Sequence, residues 1–300
     1  MDKIVFLLKT YARDIMYAQR LIESYEKYNV DQIPLYIVVD REDLDVFNNG
    51  FTKRKNITVL CKDVINVEFA DEYNNGTGIT DGYINQEIVK LAFWELGLAE
   101  NYFCLDSDAV FVRNFGTGDF IASDGYPYTV LYDDNRLVID GEYYSIFWES
   151  RTSALEKIKS KYMIEDRMST CHGFQIMNRE ALSHLKTYFM EVNGYQYLDL
   201  CKISPYEFSW YTYYVQKENV IPLHVIGELF LTFHLQDDYA WSCIRGISED
   251  AIRRGYLGYV LNSNYTKGKC ISWGELGGIR IRIIKHKMYL LFQMIRGFIK

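Results

Sequence analysis

The sequence predicts an α/β protein: a mixed, mostly parallel sheet flanked by helices, followed by a C-terminal amphipathic helix. Three observations carry this. Residues 3–9 (KIVFLLK) are almost wholly apolar, as a strand covered on both faces must be. Residues 14–28 then take a helical period, with Ile15, Ala18, Leu21, Ile22 and Tyr25 on one face. Pro34 opens a second apolar run, LYIVVD, which closes on Asp40. Strand, helix and strand in this order make a crossover whose ligands bind beyond the strand carboxyl ends.

Residues 57–61 (ITVLC) supply a third strand. The stretch 74–82 (NNGTGITDG) is a turn-rich loop; no GK[ST] follows it and no GxGxxG follows the first strand, so neither phosphate-loop fingerprint is present. A helix is expected over 83–96, with Gln86 and Lys90 four apart on one face. Residues 101–115 (NYFCLDSDAVFVRNF) are the stretch that organises the chain, a strand whose end reads LDSD. Within it Asp106 and Asp108 are two apart, so a continuous strand turns both to the same face. Two like charges there repel unless a cation sits between them. A divalent cation with oxygen ligands, of the kind that carries phosphates, answers that need. The bland alternative is a strand-end turn whose two carboxylates face water or cap the next element.

Short strands are expected over 128–132 (YTVLY) and 136–140 (RLVID), and helices over 151–162 and 179–193. A further helix opens after Pro205 with Glu207 in its first turn, where the helix dipole favours a carboxylate. Apolar strand material over 221–233 ends at His234, with Asp237 and Asp238 just beyond. Ser248 caps a short helix over 248–255.

Composition bounds the function. With 300 residues and 49% hydrophobic content the chain buries a full core. A net charge of −7 gives nucleic acid no electrostatic footing. The six cysteines show no CxxC, which argues against a zinc ribbon or disulfide scaffold and for a reducing compartment. No run reaches the ~20 apolar residues of a membrane span, and the opening MDKIVFLLKTYARD is too short in apolar residues for a signal peptide. A cytoplasmic protein is therefore expected. The 26 Tyr and 17 Phe suit a stacking, hydroxyl-rich carbohydrate or nucleobase pocket, and equally an AT-biased genome.

The order of these parts resembles the GT-A fold of nucleotide-sugar glycosyltransferases, a Rossmann-type sheet with a DxD motif at a strand end, of the bacterial cell-surface polysaccharide type. The residues that carry the resemblance are the loop Thr10–Tyr11, Asp40, the Gln86-x-x-x-Lys90 helix, LDSD ending at Asp108, and His234. The likeness is close up to Phe115 and looser beyond it. It implies that Asp108 binds Mn²⁺ or Mg²⁺ directly, that Asp106 binds the metal or the ribose, and that His234 completes the metal shell. It implies that Thr10, Tyr11, Arg13, Asp40, Gln86 and Ser107 contact the nucleotide sugar, with UDP-sugars the leading donors, and that Tyr11 stacks on the base. Lys90 would lie near the diphosphate or brace the DxD carboxylates. His172–Phe174 (HGF) is similar to the acceptor segment of family 8 retaining transferases. That family expects Asn-x-Gly there and HxxGxxKPW later, where this chain reads HLQDDYAW, so neither family 8 membership nor its stereochemistry transfers.

In the chemistry this implies, a cation helped by Lys90 stabilises a departing nucleoside diphosphate. A carboxylate deprotonates the acceptor hydroxyl, with Glu207 as first candidate and Asp237 and Asp238 as alternatives. Ordinary roles compete: Glu207 as a solvent-facing first-turn carboxylate, Lys90 on a solvated helix face, His234 as a satisfied histidine. Residues 279–300 contain no acid, and Ile284, Met288, Leu291, Ile295 and Phe298 make an apolar helical stripe away from Lys285, Gln293, Arg296 and Lys300. A basic amphipathic helix of this kind lies in an anionic membrane surface; the alternative is a helix packed on its own domain. The expected division is a transferase domain over 1–270 and a membrane-associating tail over 271–300. The protein would then work peripherally on the inner membrane face, on a glycan or lipid-linked oligosaccharide acceptor. Two other classes compete: a haloacid-dehalogenase-type phosphatase, which also uses hhhDxD, and a non-catalytic nucleotide or membrane-surface binder.

Overall fold

β1 (Asp2–Lys9) is central because nothing in its middle tolerates water: Ile4, Val5, Phe6, Leu7 and Leu8 are all buried. The computed structural model describes residues 1–71, 79–132, 142–233 (142–148 as backbone alone), 239, 242, 245–262, 284, 288, 291 and 292. The expected strand 136–140, most of the loop 74–82, and His234, Asp237 and Asp238 lie outside the described residues. In order come α1 (Ile15–Tyr28), β2 (Leu35–Val39), α2 (Leu44–Phe51), β3 (Ile57–Cys61), α3 (Asp81–Ala92), β4 (Ala99–Leu105), β5 (Ala109–Phe111) and β6 (Tyr128–Val130). Then follow α4 (Glu142–Tyr162), β7 (Ile176–Asn178), α5 (Arg179–Leu185), α6 (Tyr197–Ile203), α7 (Glu207–Glu218), β8 (His224–Ile226), β9 (Phe230–Phe233), α8 (Glu249–Ile252) and β10 (Gly258–Leu261).

The chain divides into two units. The first comprises Met1–Ala12, Val30–Asp106 and Phe115–Glu228. Its sheet has the order β3-β2-β1-β4-β7, parallel except for β7, which runs antiparallel along β4. This is the mixed, mostly parallel sheet the sequence predicts. Register sets Phe6 opposite Leu35 on one side and Phe103 on the other. The Phe6 ring meets Phe103, Phe115 and Phe120 at centroid separations of 5.4, 5.5 and 5.1 Å, an aromatic nucleus under the sheet. On the helical side, Trp210 is fully buried and its Nε1 donates to the Ser204 carbonyl at 2.9 Å.

The second unit comprises Arg13–Asn29, Ser107–Asn114 and Leu229–Lys300. Its sheet has the order β5-β10-β9, with β10 antiparallel to β5 and parallel to β9. Helix α1 packs on β5, where Ser24 Oγ accepts the Phe111 N–H at 3.1 Å. Gly258 is required at its place in β10: a Cβ there would lie 2.1 Å from the Val110 carbonyl oxygen. Ser248 caps α8 as expected, its side chain accepting from Ala251 N.

Several expected boundaries are corrected. The organising strand, expected to end in LDSD, stops at Leu105: Asp106–Asp108 is a turn, and β5 belongs to another sheet. The strand-alternation argument for the two carboxylates therefore does not apply. The helix expected over 83–96 is α3, ending at Ala92 in a 3₁₀ turn closed by Gly97 at φ 65°. The helix expected from 151 starts at Glu142, and that over 179–193 is α-helical only to Leu185, widening into a π turn over Lys186–Met190. The 221–233 run is two strands in two sheets.

Candidate active site

Because β1 to β4 are parallel, their carboxyl ends share one edge of the first unit's sheet, where such folds bind ligands. Lys62, Asp40, Lys9 with Thr10, and Asp106 follow the ends of β3, β2, β1 and β4 along it. Asp40 is bracketed by two cations: Lys9 Nζ stands 2.9 Å from Oδ2 and Lys62 Nζ 2.6 Å from Oδ1. Burial opposes the charge on Asp40, but the bond to Lys62 and the charge of Lys9 outweigh it and hold its carboxyl below the usual range. Burial also lowers the Lys9 ammonium, offset only in part by Asp40. Thr10 is 2% exposed, and its Oγ1 has no hydrogen-bond partner among the described residues. Tyr11 is 44% exposed beside it. Arg13 is exposed in the 3₁₀ turn Ala12–Asp14.

The second cluster is built on α3. Gln86 and Lys90 share a face, as their spacing requires, and both reach Asp106: Gln86 Nε2 donates to Oδ1 at 3.2 Å, and Lys90 Nζ lies 3.3 Å from the same oxygen. Lys90 also donates to Glu207 Oε1 at 2.9 Å and lies 4.9 Å from the Phe208 ring centroid. Lys90 is 4% exposed and Glu207 5%, so neither is on a solvated face. Glu207 opens α7, where the helix dipole adds to Lys90 in favouring the anion. Burial works against both charges. The charges of Asp106, Glu207 and Glu87 nonetheless push the Lys90 ammonium well above its ordinary range, and Lys90 holds Glu207 below its own.

Nothing in the local pattern singles out Glu87, yet its position three residues before Lys90 places it in this cluster. It is 2% exposed; its Oε2 stands 3.9 Å from Lys90 Nζ and has no hydrogen-bond partner among the described residues. Burial and the adjacent Glu207 charge push its carboxyl well above the ordinary range, and the hydrogen bond to Glu207 acts the same way. A folded-state value above the ordinary 4.5 contributes stability that is fully present below about 4.5 and declines as pH rises above it. Glu87→Gln keeps a donor and removes the titration. Its unfolding free energy, measured by urea between pH 5 and 8, should fall less with pH than that of the wild type, whose slope from this group is at most about 1.4 kcal/mol per pH unit.

Asp106 is the outward member of the cluster, its side chain 40% exposed. Asp108 belongs to the second unit, half-buried, with its carbonyl facing Leu261 N at 3.4 Å. Ser107 is buried, and its hydroxyl donates to Asp14 Oδ2 at 3.0 Å, so it is engaged within the protein. His172 is half-buried in the bend before β7. Among the described residues no three His, Cys, Asp or Glu side chains converge as a metal shell; His234 lies outside them. Lys9 and Lys62 were also missed, although each is a cation at a strand end level with Asp40.

No curated protein matches the chain. Among solved structures it is similar to apo mouse xyloside xylosyltransferase 1, at TM-score 0.47 and 11% identity, over 87% of this chain and 98% of that one. It is also similar to the mannosyltransferase Ktr4p of S. cerevisiae, at TM-score 0.42 and 14% identity, over 70% of this chain and 62% of that one. A family model matches residues 3–243, most of the chain, and by that match the protein belongs to the family of unknown function DUF6492.

Proposed function

We propose that this chain is a metal-dependent glycosyltransferase that moves a sugar from a nucleoside-diphosphate donor to a hydroxyl of a glycan or lipid-linked acceptor. The observation that carries this is Lys90, buried and joined to Asp106 and Glu207 at once. A fixed cation beside an outward carboxylate at the end of a parallel sheet suits the binding and departure of a diphosphate. Thr10 and Asp40 meet the nucleoside, Thr10 with an unused hydroxyl and Asp40 as an anion fixed by Lys9 and Lys62. Tyr11 stacks on the base.

The donor chemistry of Asp106 fits Mn²⁺ or Mg²⁺, which needs only one or two protein carboxylates when phosphates supply other ligands. Asp106, in the first unit, would hold the ion. Such an ion, when bound, neutralises charge on the diphosphate. Gln86 and Lys90 aim Asp106, and Glu207 keeps Lys90 in place. Ion-paired and held below its ordinary range, Glu207 is a poor proton acceptor. Asp237 and Asp238 therefore become the preferred candidates for the base that deprotonates the acceptor.

The basic tail adds membrane association to this proposal. Ile284, Met288, Leu291 and Phe292 are helical and 57%, 65%, 58% and 63% exposed, and no acid follows Glu275. Among the described residues no helix is long and apolar enough to cross a membrane, so the tail would lie on the surface of the inner face. The full chain should float with vesicles containing phosphatidylglycerol, and Met288→Asp with Leu291→Asp should abolish it; flotation undiminished in the double variant would refute the anchor.

The enzymatic proposal is tested by thermal-shift screening of nucleotide sugars with and without Mn²⁺. At least one should raise the melting temperature in a Mn²⁺-dependent way. No shift with any of them removes the proposal.

A further inference from the structure

Arg151 lies on α4, 4% exposed, among groups of the same unit. Its Nη2 donates to the Cys171 carbonyl at 3.0 Å, and its guanidinium carbon is 5.3 Å from the Tyr206 ring centroid. Its Nη1 is buried with no hydrogen-bond partner, and no carboxylate pairs with it, among the described residues. A guanidinium is always charged and carries five N–H donors. Burying one with unused donors and no counter-charge is costly unless an acceptor reaches it.

The neighbours of Arg151 say where that acceptor sits. Tyr206 directly precedes Glu207, and Cys171 directly precedes His172 and Gly173. Both Cys171 and Tyr206 feel the charges of Arg151 and Glu207 together. Arg151 is therefore beside the Lys90–Glu207 cluster and adjoins the bend that leads into β7. In the order β3-β2-β1-β4-β7, the Lys9–Asp40–Lys62 group occupies the opposite half of the sheet. With the nucleoside placed at β1 and β2, the β7 side is left for the second substrate.

We propose that Arg151 recognises an oxyanion, phosphate or carboxylate, on the acceptor sugar, so that acidic acceptors are preferred to neutral ones. This rests on the glycosyl-transfer reading for the word acceptor, but not for the anion site itself. Nη1 donates to the oxyanion while Nη2 stays on the Cys171 carbonyl and the Tyr206 ring limits the guanidinium's movement. Arg151 is a specificity residue here, with no part in the proton or sugar transfer.

The test uses the full chain as wild type, Arg151→Met and Arg151→Lys. Glucose 1-phosphate, glucuronate and glucose are titrated by thermal shift, with and without UDP and Mn²⁺. Wild type should bind at least one acidic sugar about 10- to 100-fold more tightly than glucose, the scale of one charge-assisted hydrogen bond. Arg151→Met should lose that preference, and Arg151→Lys should keep part of it and serves if Arg151→Met does not fold. A response to glucose 1-phosphate alone assigns phosphate; one to glucuronate alone assigns carboxylate. Equal affinity for acidic and neutral sugars in wild type, or a preference that survives Arg151→Met, overturns the proposal. Weakened UDP binding in Arg151→Met moves the residue to the donor site and also overturns it. If no nucleotide shifts wild type while the Arg151-dependent preference persists, glycosyl transfer fails and the anion site stands.

Discussion

Lys90→Met should cost about 3–5 kcal/mol of folding stability at pH 7, measured by urea denaturation. The substitution keeps the volume of the side chain and removes the cation that bonds Glu207 among the described residues. Glu207 is 5% exposed and cannot recover its hydration where it stands. Its neighbour Glu87 is another carboxyl group and supplies no counter-charge in place of Lys90. A second substitution, Glu207→Gln, made together with Lys90→Met, should restore much of the loss, because it removes the uncompensated charge that the first leaves behind. Losses that add independently would show that the pair is not coupled. Lys90→Met should also reduce turnover, since Asp106 then keeps only Gln86 to aim it.

Asp106→Asn should act in the opposite sense, large on activity and small on stability. Its side chain is 40% exposed and its ion pair with Lys90 is shared with Glu207, so folding should change by no more than about 1 kcal/mol. Turnover of the nucleotide sugar should fall about 100- to 1,000-fold, the scale for removing one preorganised electrostatic group. The Mn²⁺ concentration for half-maximal activity should rise. Unchanged turnover and metal dependence in a folded Asp106→Asn protein would remove this residue from the site.

The parallel sheet was legible because its strands are near-continuous apolar runs. KIVFLLK and LYIVV need no partner to declare themselves buried. Helix α2 was not, because LDVFNNGF contains two Asn and a Gly and commits only Phe47 and Phe51 to the core. The short helix α6 is missed for a similar reason: seven residues give too few turns for a period to show. Within the second unit α1, β9 and the Ser248-capped α8 were legible one by one, but not their assembly, since the unit gathers three stretches far apart in the chain.

Within the candidate site, the Gln86–Lys90 spacing correctly placed two side chains together, and both meet Asp106. Whether that face of α3 looked at water or at protein depended on α6 and α7, which pack on it from more than a hundred residues away. That is why Lys90 and Glu207 could be named but not paired. Asp40 was found as a strand-end carboxylate, whereas its two lysines became neighbours only once β1 and β3 were seen to flank β2. The DxD motif drew its weight from an assumed strand alternation that the turn at Asp106–Asp108 replaces. Asp106 is now supported by its contacts with Gln86 and Lys90 instead.

The most direct measurement is release of nucleoside diphosphate when the full chain is incubated with UDP-, GDP- and ADP-sugars, with Mn²⁺ or with EDTA, in parallel with simple phosphomonoesters. Glycosyl transfer at this site predicts nucleoside diphosphate from at least one donor, stimulated by Mn²⁺ and suppressed by EDTA, with no inorganic phosphate from the monoesters. No release from any donor, or phosphate release from the monoesters that depends on Asp106, would contradict it and turn the assignment toward a phosphatase.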